Sequence, residues 1–505
     1  MFAVCSFNFL MVDLIFFLYK TGESMLDATI RPYIVRTVCR EVFPANETTC
    51  INLDSYPVLE DYVQSVSASY LIYYRILVNI PAVILGLLCG TYSDRYGRKI
   101  PIMLPSLGSV FAVLLYMCSL VTPDARMVLI LAGAGIQGMF GKSSVITMGV
   151  NSIITDMSDR EERTQRLGKL LAMNFFGLFA GSLLSGLFQD LLDVNATFVF
   201  VVLLHASTVL CTVIFLRETI EHPNKKVDFE HDRKKSECLA MFNPANIKDA
   251  LYVLCKPRKG NARIVIILLF LVSLANQTCK VGEMDITLLF VTRSPFNWPK
   301  SWYGYLLSLD YAVMGICLFI FLPFLTSVCK FSDGGIILVG ISCKIVRLVW
   351  AGVSGQTWMV FVSVIIGAFA GMITSAIRSL LSKAVNEDEA GKIFSLLACA
   401  ETASKLIGVL IFINLYSATA FFYPGLSYLI VGALYLIMFS LIGIFFKEFK
   451  EIGSEDLTML FKEQQTYGSS KKTVFGETKN GRLPIVDELN ENDPGYAAPL
   501  PAGTP

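Results

Sequence analysis

The chain is 505 residues long, 54% hydrophobic and only 16% charged, with a mean hydropathy of +0.59 and a formal net charge of +1. Soluble domains carry about 25% charged residues and nucleic-acid binders concentrate basic charge on one face. The composition therefore excludes a soluble enzyme and argues against a nucleic-acid partner. The charges lie in blocks between long apolar runs, the pattern of a polytopic protein resident in a lipid bilayer.

A helix needs roughly 20 apolar residues to cross the bilayer, because lipid satisfies no stray backbone group. Suitable runs lie near 8–34, 66–92, 100–121, 127–154, 168–188 and 196–216, and again near 263–292, 303–327, 335–354, 358–382, 393–415 and 425–446. The fold class is therefore all-α, with twelve spans expected. The first run is interrupted by Lys20, Glu23, Asp27 and Arg31; lacking a basic start and a small-residue cleavage site, it reads as a retained span rather than a signal peptide.

The basic, polar stretch 217–262 separates six spans from six, so 1–216 and 263–446 are expected to form two bundles and 217–262 a connector rich in Pro and Asn. Two six-span halves match a pseudo-symmetric transporter plan. Lys and Arg crowd 93–99, 156–169 and 217–263 and are sparse in the alternate connections. The positive-inside rule then places both termini and the connector in the cytoplasm. Residues 447–505 are polar and end in a Pro- and Ala-rich run; they bury too little apolar surface to fold and are expected to be disordered.

Most of the 13 cysteines fall inside spans or on the inner side, where they act as small buried hydrophobes. Cys39 and Cys50 fall at or in the first outer loop, which permits oxidation. Asn46-Glu47-Thr48 in that loop is a glycosylation sequon.

Gly90-Thr91-Tyr92-Ser93-Asp94-Arg95-Tyr96-Gly97-Arg98-Lys99 lies between spans two and three. Gly97 permits a turn that a Cβ would strain. Asp94 is expected at the positive end of a helix in the opposite half, near Lys392 and Ile393, and Arg98 is expected to pair with Asp156. Such contacts give two halves two discrete arrangements. The pattern resembles the signature loop of the major facilitator superfamily.

Further runs narrow the resemblance: Pro105-Ser106-Leu107-Gly108, Ile377-Arg378-Ser379-Leu380-Leu381-Ser382-Lys383, Ala400-Glu401-Thr402, Leu415-Tyr416-Ser417-Ala418-Thr419 and Tyr423-Pro424-Gly425. Together they resemble solute carrier family 46 over roughly residues 8–446. The resemblance implies alternating-access transport of a small organic anion of folate, cyclic-dinucleotide or muropeptide type, often with protons and with no cofactor or metal. It also implies a substrate-linked role for Arg378. Where the family's folate transporter has a proton-linked histidine and a functional glutamate, this chain has Lys280 and Leu171. Where the family has a second-half outer-loop cysteine, this chain has Asn297, which leaves Cys39 and Cys50 to bridge each other.

Ionisable residues at depth are functional candidates by default. Lys20, Lys142, Glu401 and Lys405 fall near the midplane at ~1.5 Å per helical residue. Glu23 and Asp27 stack outward from Lys20, and Lys280, Glu283 and Asp285 form a similar group. The bland reading is local salt bridges: Lys20–Glu23, Asp27–Arg31, Lys280–Glu283 and Glu401–Lys405. His205, alone among apolar neighbours, reads as a satisfied core residue. The excess of bases over acids within the spans favours an anionic ligand meeting Arg378 or Lys142, with a proton carried by Glu401 or Asp285. Three histidines make a membrane-embedded enzyme a poor reading; a transport-inactive sensor is the main alternative. The plasma membrane is expected rather than the lysosomal one.

Overall fold

A computed structural model describes residues 2–453 apart from 43–49, 51–56, 123–124, 220–244, 259–260, 293–295, 297, 299, 387–388 and 420–421. Among them every regular element is helical. The first half comprises α1 (Phe2–Val42), α2 (Pro57–Tyr96), α3 (Lys99–Val121), α4 (Arg126–Met139) with α5 (Lys142–Met157), α6 (Arg163–Leu191) and α7 (Val194–Ile214). A connector helix follows, α8 (Ala245–Cys255). The second half comprises α9 (Ala262–Thr292), α10 (Lys300–Ile316) with α11 (Leu322–Ser327), α12 (Asp333–Gly352), α13 (Thr357–Ile366) with α14 (Gly371–Ala384), α15 (Ala390–Thr419) and α16 (Leu426–Ile444). A short helix, α17 (Phe446–Gly453), ends the described chain.

Among the described residues, eleven helical segments are long and apolar enough to cross a membrane. The twelfth expected span lies in α1, a 41-residue helix outside those eleven that carries Lys20, Glu23, Asp27 and Arg31 in its middle. Its core position explains how it tolerates them: α1 packs along α6 and α7, with Lys20 and Glu23 buried. Small residues make that approach possible, as in other bilayer-embedded pairs. Ser24 Oγ donates to Leu178 O at 2.9 Å and Thr29 meets Ser185 at 3.1 Å.

Three spans are not single α-helices. The fourth breaks between α4 and α5, the eighth passes through a π-turn at Cys317–Phe321, and the tenth tightens to 3₁₀ at Gly367–Ala370. Irregular turns of this kind mark functional positions.

The halves meet along two related seams. α2 and α5 pack on α15, and α6 packs on α10 and α14. At the first seam Ser395 Oγ donates to Gly86 O at 2.7 Å, and Ser144 and Thr402 share a hydrogen bond at 2.6 Å.

The connector holds an element the sequence did not mark, and the tail departs from expectation. The connector contains α8, which buries Ala250 and Val253 against α2 and α15; its apolar positions recur at helical spacing despite the neighbouring Pro and Asn. The tail expected to be disordered from 447 begins as α17, because Phe449 is buried against α12 and α14. Residues 454–505 lie outside the described residues. So does the sequon at Asn46. Cys39 and Cys50 are disulfide-bonded, with Cα atoms 5.8 Å apart.

Candidate transport site

At the end of the molecule where α2 turns into α3, the ten-residue motif closes one seam. Gly97 has φ +127°, which favours glycine, and an added Cβ there would stand 2.6 Å from a Glu218 carboxylate oxygen. The turn aims Asp94 across the seam. Its oxygens accept from the backbone N–H of Gly391 at 2.7 Å and of Lys392 at 3.0 Å. These are first-turn donors of α15 that have no partner within the helix, and the helix dipole adds to the attraction. Arg98 donates to Asp94 at 2.6 Å, to Ser93 at 3.0 Å and to Asp156 at 3.0 Å. Burial alone would disfavour its charge, but the two carboxylates hold its proton above the usual arginine range.

Residues that sequence reasoning missed complete this lock. Glu218 accepts from the backbone N–H of Arg98 at 2.8 Å and of Lys99 at 3.2 Å, capping α3, and Thr219 donates to Asp156 at 2.9 Å. Arg95 reaches Asp249 of α8 at 2.8 Å. The other end of α8 is tied to the second half, where Lys256 and Arg258 (2.7 Å) hold Glu389. Burial pushes the Glu389 carboxyl upward, yet the hydrogen bonds and charges of Lys256 and Arg258 outweigh it, and its pKa falls below the usual carboxylate range. Lys99 reaches Val213 O at 3.5 Å, outside the lock.

The second seam has its own buried lock. Asp333, at the start of α12, accepts from Lys383 at 2.7 Å, Ser379 at 3.1 Å and Thr164 of α6. Arg163 donates to Ser382 O at 3.3 Å across the same seam. The sequence signal was Ser332-Asp333-Gly334-Gly335 opening a span, the place corresponding to the signature loop in the second half.

Deeper in the molecule the midplane charges gather from both halves. Lys20 donates to Glu23 at 2.8 Å and to Ser143. Lys142 donates to Asp27 at 3.2 Å. Lys142 opens α5 just after the break in the fourth span, where Gly141 has φ +86° and Lys142 itself φ +39°. A left-handed non-glycine residue is strained, so the break sets a cationic side chain and a helix N-terminus beside Glu23 and Asp27. Lys405 of α15, from the other half, interacts electrostatically with Glu23, Lys20, Lys142 and Asp27.

In the second half Arg378 donates to Glu401 at 2.6 Å. Lys280 lies over the Phe175 ring, 4.6 Å from its centroid, joining α9 to α6 of the other half. Glu283 takes Lys344 and Arg347 (2.8 Å), and Arg347 also holds Asp310 at 2.6 Å. Asp285 keeps one carboxylate oxygen, Oδ2, without a hydrogen bond.

Of the four local pairs expected, only Lys20–Glu23 forms. Asp27 turns to Lys142, Glu283 to Lys344 and Arg347, and Glu401 to Arg378. The reason is burial: a pair removed from water needs good geometry and every remaining donor satisfied, and a neighbouring helix supplies that better than the next turn of the same one. His205 also departs from expectation, because neither ring nitrogen has a hydrogen bond. Among the described residues no group of His, Cys, Asp and Glu is arranged to hold a metal.

Comparison with known proteins agrees with this architecture. Residues 14–409 match the Major Facilitator Superfamily model. The chain is 26% identical over 443 residues to the lysosomal proton-coupled steroid conjugate and bile acid symporter SLC46A3 of Gallus gallus, covering 85% of this chain and 92% of that protein. It is 25% identical to the human protein of the same name, with the same coverage. The class C tetracycline resistance protein of Escherichia coli is 25% identical over 75% of this chain and 88% of its own length. Among solved structures, the human organic anion transporter MFSD10 aligns with a TM-score of 0.65 at 17% identity, over 87% of this chain and 99% of that one. The transporter FucP in the outward conformation aligns at 0.58 and 14% identity, over 86% and 98%; at these identities the structures speak for the fold alone. With the family model matched over residues 14–409, on a helical bundle whose signature loop locks one half to the other, this chain belongs to the major facilitator superfamily of membrane transporters and is not an enzyme.

Proposed function

We propose that this protein moves a small amphipathic organic anion together with a proton, by alternating access between its two halves. The observation that carries the reading is the meeting of cations from both halves in the interior. Lys20 and Lys142, with the α5 N-terminus, come from the first half, and Lys405, Arg378 and Lys280 from the second. Lys20, Lys142 and Arg378 are paired with Glu23, Asp27 and Glu401, carboxylates that an incoming anion would displace. The Phe175 ring beside Lys280, with the Tyr311 ring 6.2 Å from it, suits a flat apolar body attached to the anionic group. The names of the SLC46A3 relatives specify steroid conjugates and bile acids, which are anions of this shape; they favour that class over the folate, cyclic-dinucleotide or muropeptide types.

The proton is proposed to travel on a carboxyl, with Asp285 and Glu401 as the candidates. Asp285 has an oxygen free to take it, and Glu401 would be released whenever the substrate takes Arg378. The same relatives are named lysosomal, so an endolysosomal membrane is favoured over the plasma membrane that the sequence suggested. The locked end is proposed to face the cytoplasm, which makes this the outward-facing state.

Uptake of labelled estrone sulfate, taurocholate, folate and a cyclic dinucleotide at pH 5.5 and 7.5 tests the reading. A sulfated or carboxylated steroid is expected to enter fastest, and faster at the lower pH. A guanidinium holds an oxyanion in a planar two-point fork that an ammonium lacks. Arg378→Lys should therefore fail to restore uptake lost in Arg378→Ala; undiminished uptake in Arg378→Ala would remove Arg378 from the site.

A further inference from the structure

His205 sits on α7 with 0% exposure, and neither Nδ1 nor Nε2 makes a hydrogen bond. A neutral imidazole carries one donor and one acceptor, and burying such groups without partners is unfavourable. Ordinary packing does not explain why an imidazole rather than a phenyl ring fills this place. Its surroundings are specific. The Tyr19 ring meets it edge-on at 5.2 Å, and α1 approaches so closely at Gly22 that a Cβ there would stand 2.9 Å from Nε2. The next residue, Glu23, is the charged group that acts on the ring, with Lys20 behind it as the ion-pair partner of Glu23. Among the described residues, α3 and α6, the other helices against α7, place no charge that acts on it.

We propose that His205 is a second proton site of the transport cycle, loaded when the arriving anion draws Lys20 away from Glu23. The reasoning rests on the anion–proton reading above and deepens it. In the structure Glu23 is balanced by Lys20, and His205 has no need of charge. An anion that binds the cations around Lys142 recruits the Lys20 ammonium and leaves the Glu23 carboxylate buried without a counter-charge, which is strongly unfavourable. A proton taken from solvent onto the open ring nitrogen restores that balance: imidazole becomes imidazolium facing Glu23, and no other bond changes. One anion and one proton then enter the first half together, and departure of the anion returns Lys20 to Glu23 and expels the proton. The site belongs to a different half from Asp285 and Glu401.

Full-length protein in lipid vesicles provides the test, with labelled estrone sulfate as the probe. Two readings are taken: uptake driven by an inward proton gradient, and exchange against internal estrone sulfate at equal pH, which requires no net proton movement. His205→Phe and His205→Gln are expected to keep exchange within about twofold and to show a reduced gradient-driven stimulation. Undiminished stimulation in both variants overturns the assignment to His205 while leaving proton coupling intact. Loss of exchange in both also overturns it, since that is the behaviour of a packing residue. A wild-type protein indifferent to the gradient removes the coupling and this site with it. Substrate-induced proton uptake, followed with a pH dye, provides the independent measurement: the wild type should bind a proton on adding estrone sulfate, and the His205 variants should bind fewer at equal occupancy.

Discussion

A few side chains have roles set by single atoms. Asp94 uses both carboxylate oxygens on the α15 N-terminus and also holds Arg98. In Asp94→Asn one of those oxygens becomes an amide NH2, which cannot accept from α15, and the ion pair with Arg98 is lost. Removing a carboxylate from a helix N-terminus costs about 0.3–1 kcal/mol at exposed sites, and leaving Arg98 buried with one counter-charge fewer adds to that. The locked state loses population, so the substitution should slow turnover severalfold while changing substrate affinity little. Single-turnover uptake beside equilibrium binding separates the two; a normal turnover rate would remove the lock from the mechanism. Gly391 adds a steric constraint at the same contact, since a Cβ there would stand 2.3 Å from Asp94 Oδ1.

At the scale of elements, α8 acts as a strap. One end is held by Arg95 of the first half and the other by Glu389 of the second, and its apolar face rests on α2 and α15. The Arg95–Asp249 pair is exposed and contributes little, so the buried Glu389 contacts carry most of the attachment. Because the Glu389 carboxyl is held below its usual range, its contribution is fully present above the ordinary carboxylate pKa and lost only as pH falls through the lower, folded value. The protection of the α8 amides, measured relative to the intrinsic exchange rate at each pH, should therefore be the same at pH 7.5 and 5.5, whereas Glu389→Gln should lower it at both. An α8 that opens on acidification to pH 5.5 would contradict the assignment. The broken fourth span is the other consequential element. Its turn at Gly141 and Lys142 places a helix start in the interior, where half-helix ends bind ions in other transporters.

For the whole molecule, the two seams are related by exchange of the halves: α2 and α5 on α15, α10 and α14 on α6. Each carries a lock at the same end, built on Asp94 and on Asp333. Opening that end requires both to break, which makes the two arrangements discrete. The proposed orientation is checked by epitope tags at the C-terminus and within 220–244. Both should be reached by antibody only after permeabilisation of the cell, or, in an isolated intact organelle, from the cytosolic side. Labelling of either tag from the opposite side would reverse the orientation.

Hydropathy alone marked the spans, because crossing lipid imposes a length and an apolar composition that any window along the chain reveals. The signature motif was equally legible, since a tight turn, a helix-end carboxylate and its counter-arginine lie within ten residues. The Lys20–Glu23 pair followed from helical spacing. The partners of Asp27, Glu283, Glu401 and Arg378 did not, because which neighbouring helix a buried charge faces depends on packing between residues far apart in sequence. The same applies to Glu218, Glu389 and Asp333, whose roles exist only once distant segments meet, and to His205, whose lack of partners is a property of everything around it. Local chemistry thus determined what kind of molecule this is, and tertiary packing decided which partner each buried charge meets.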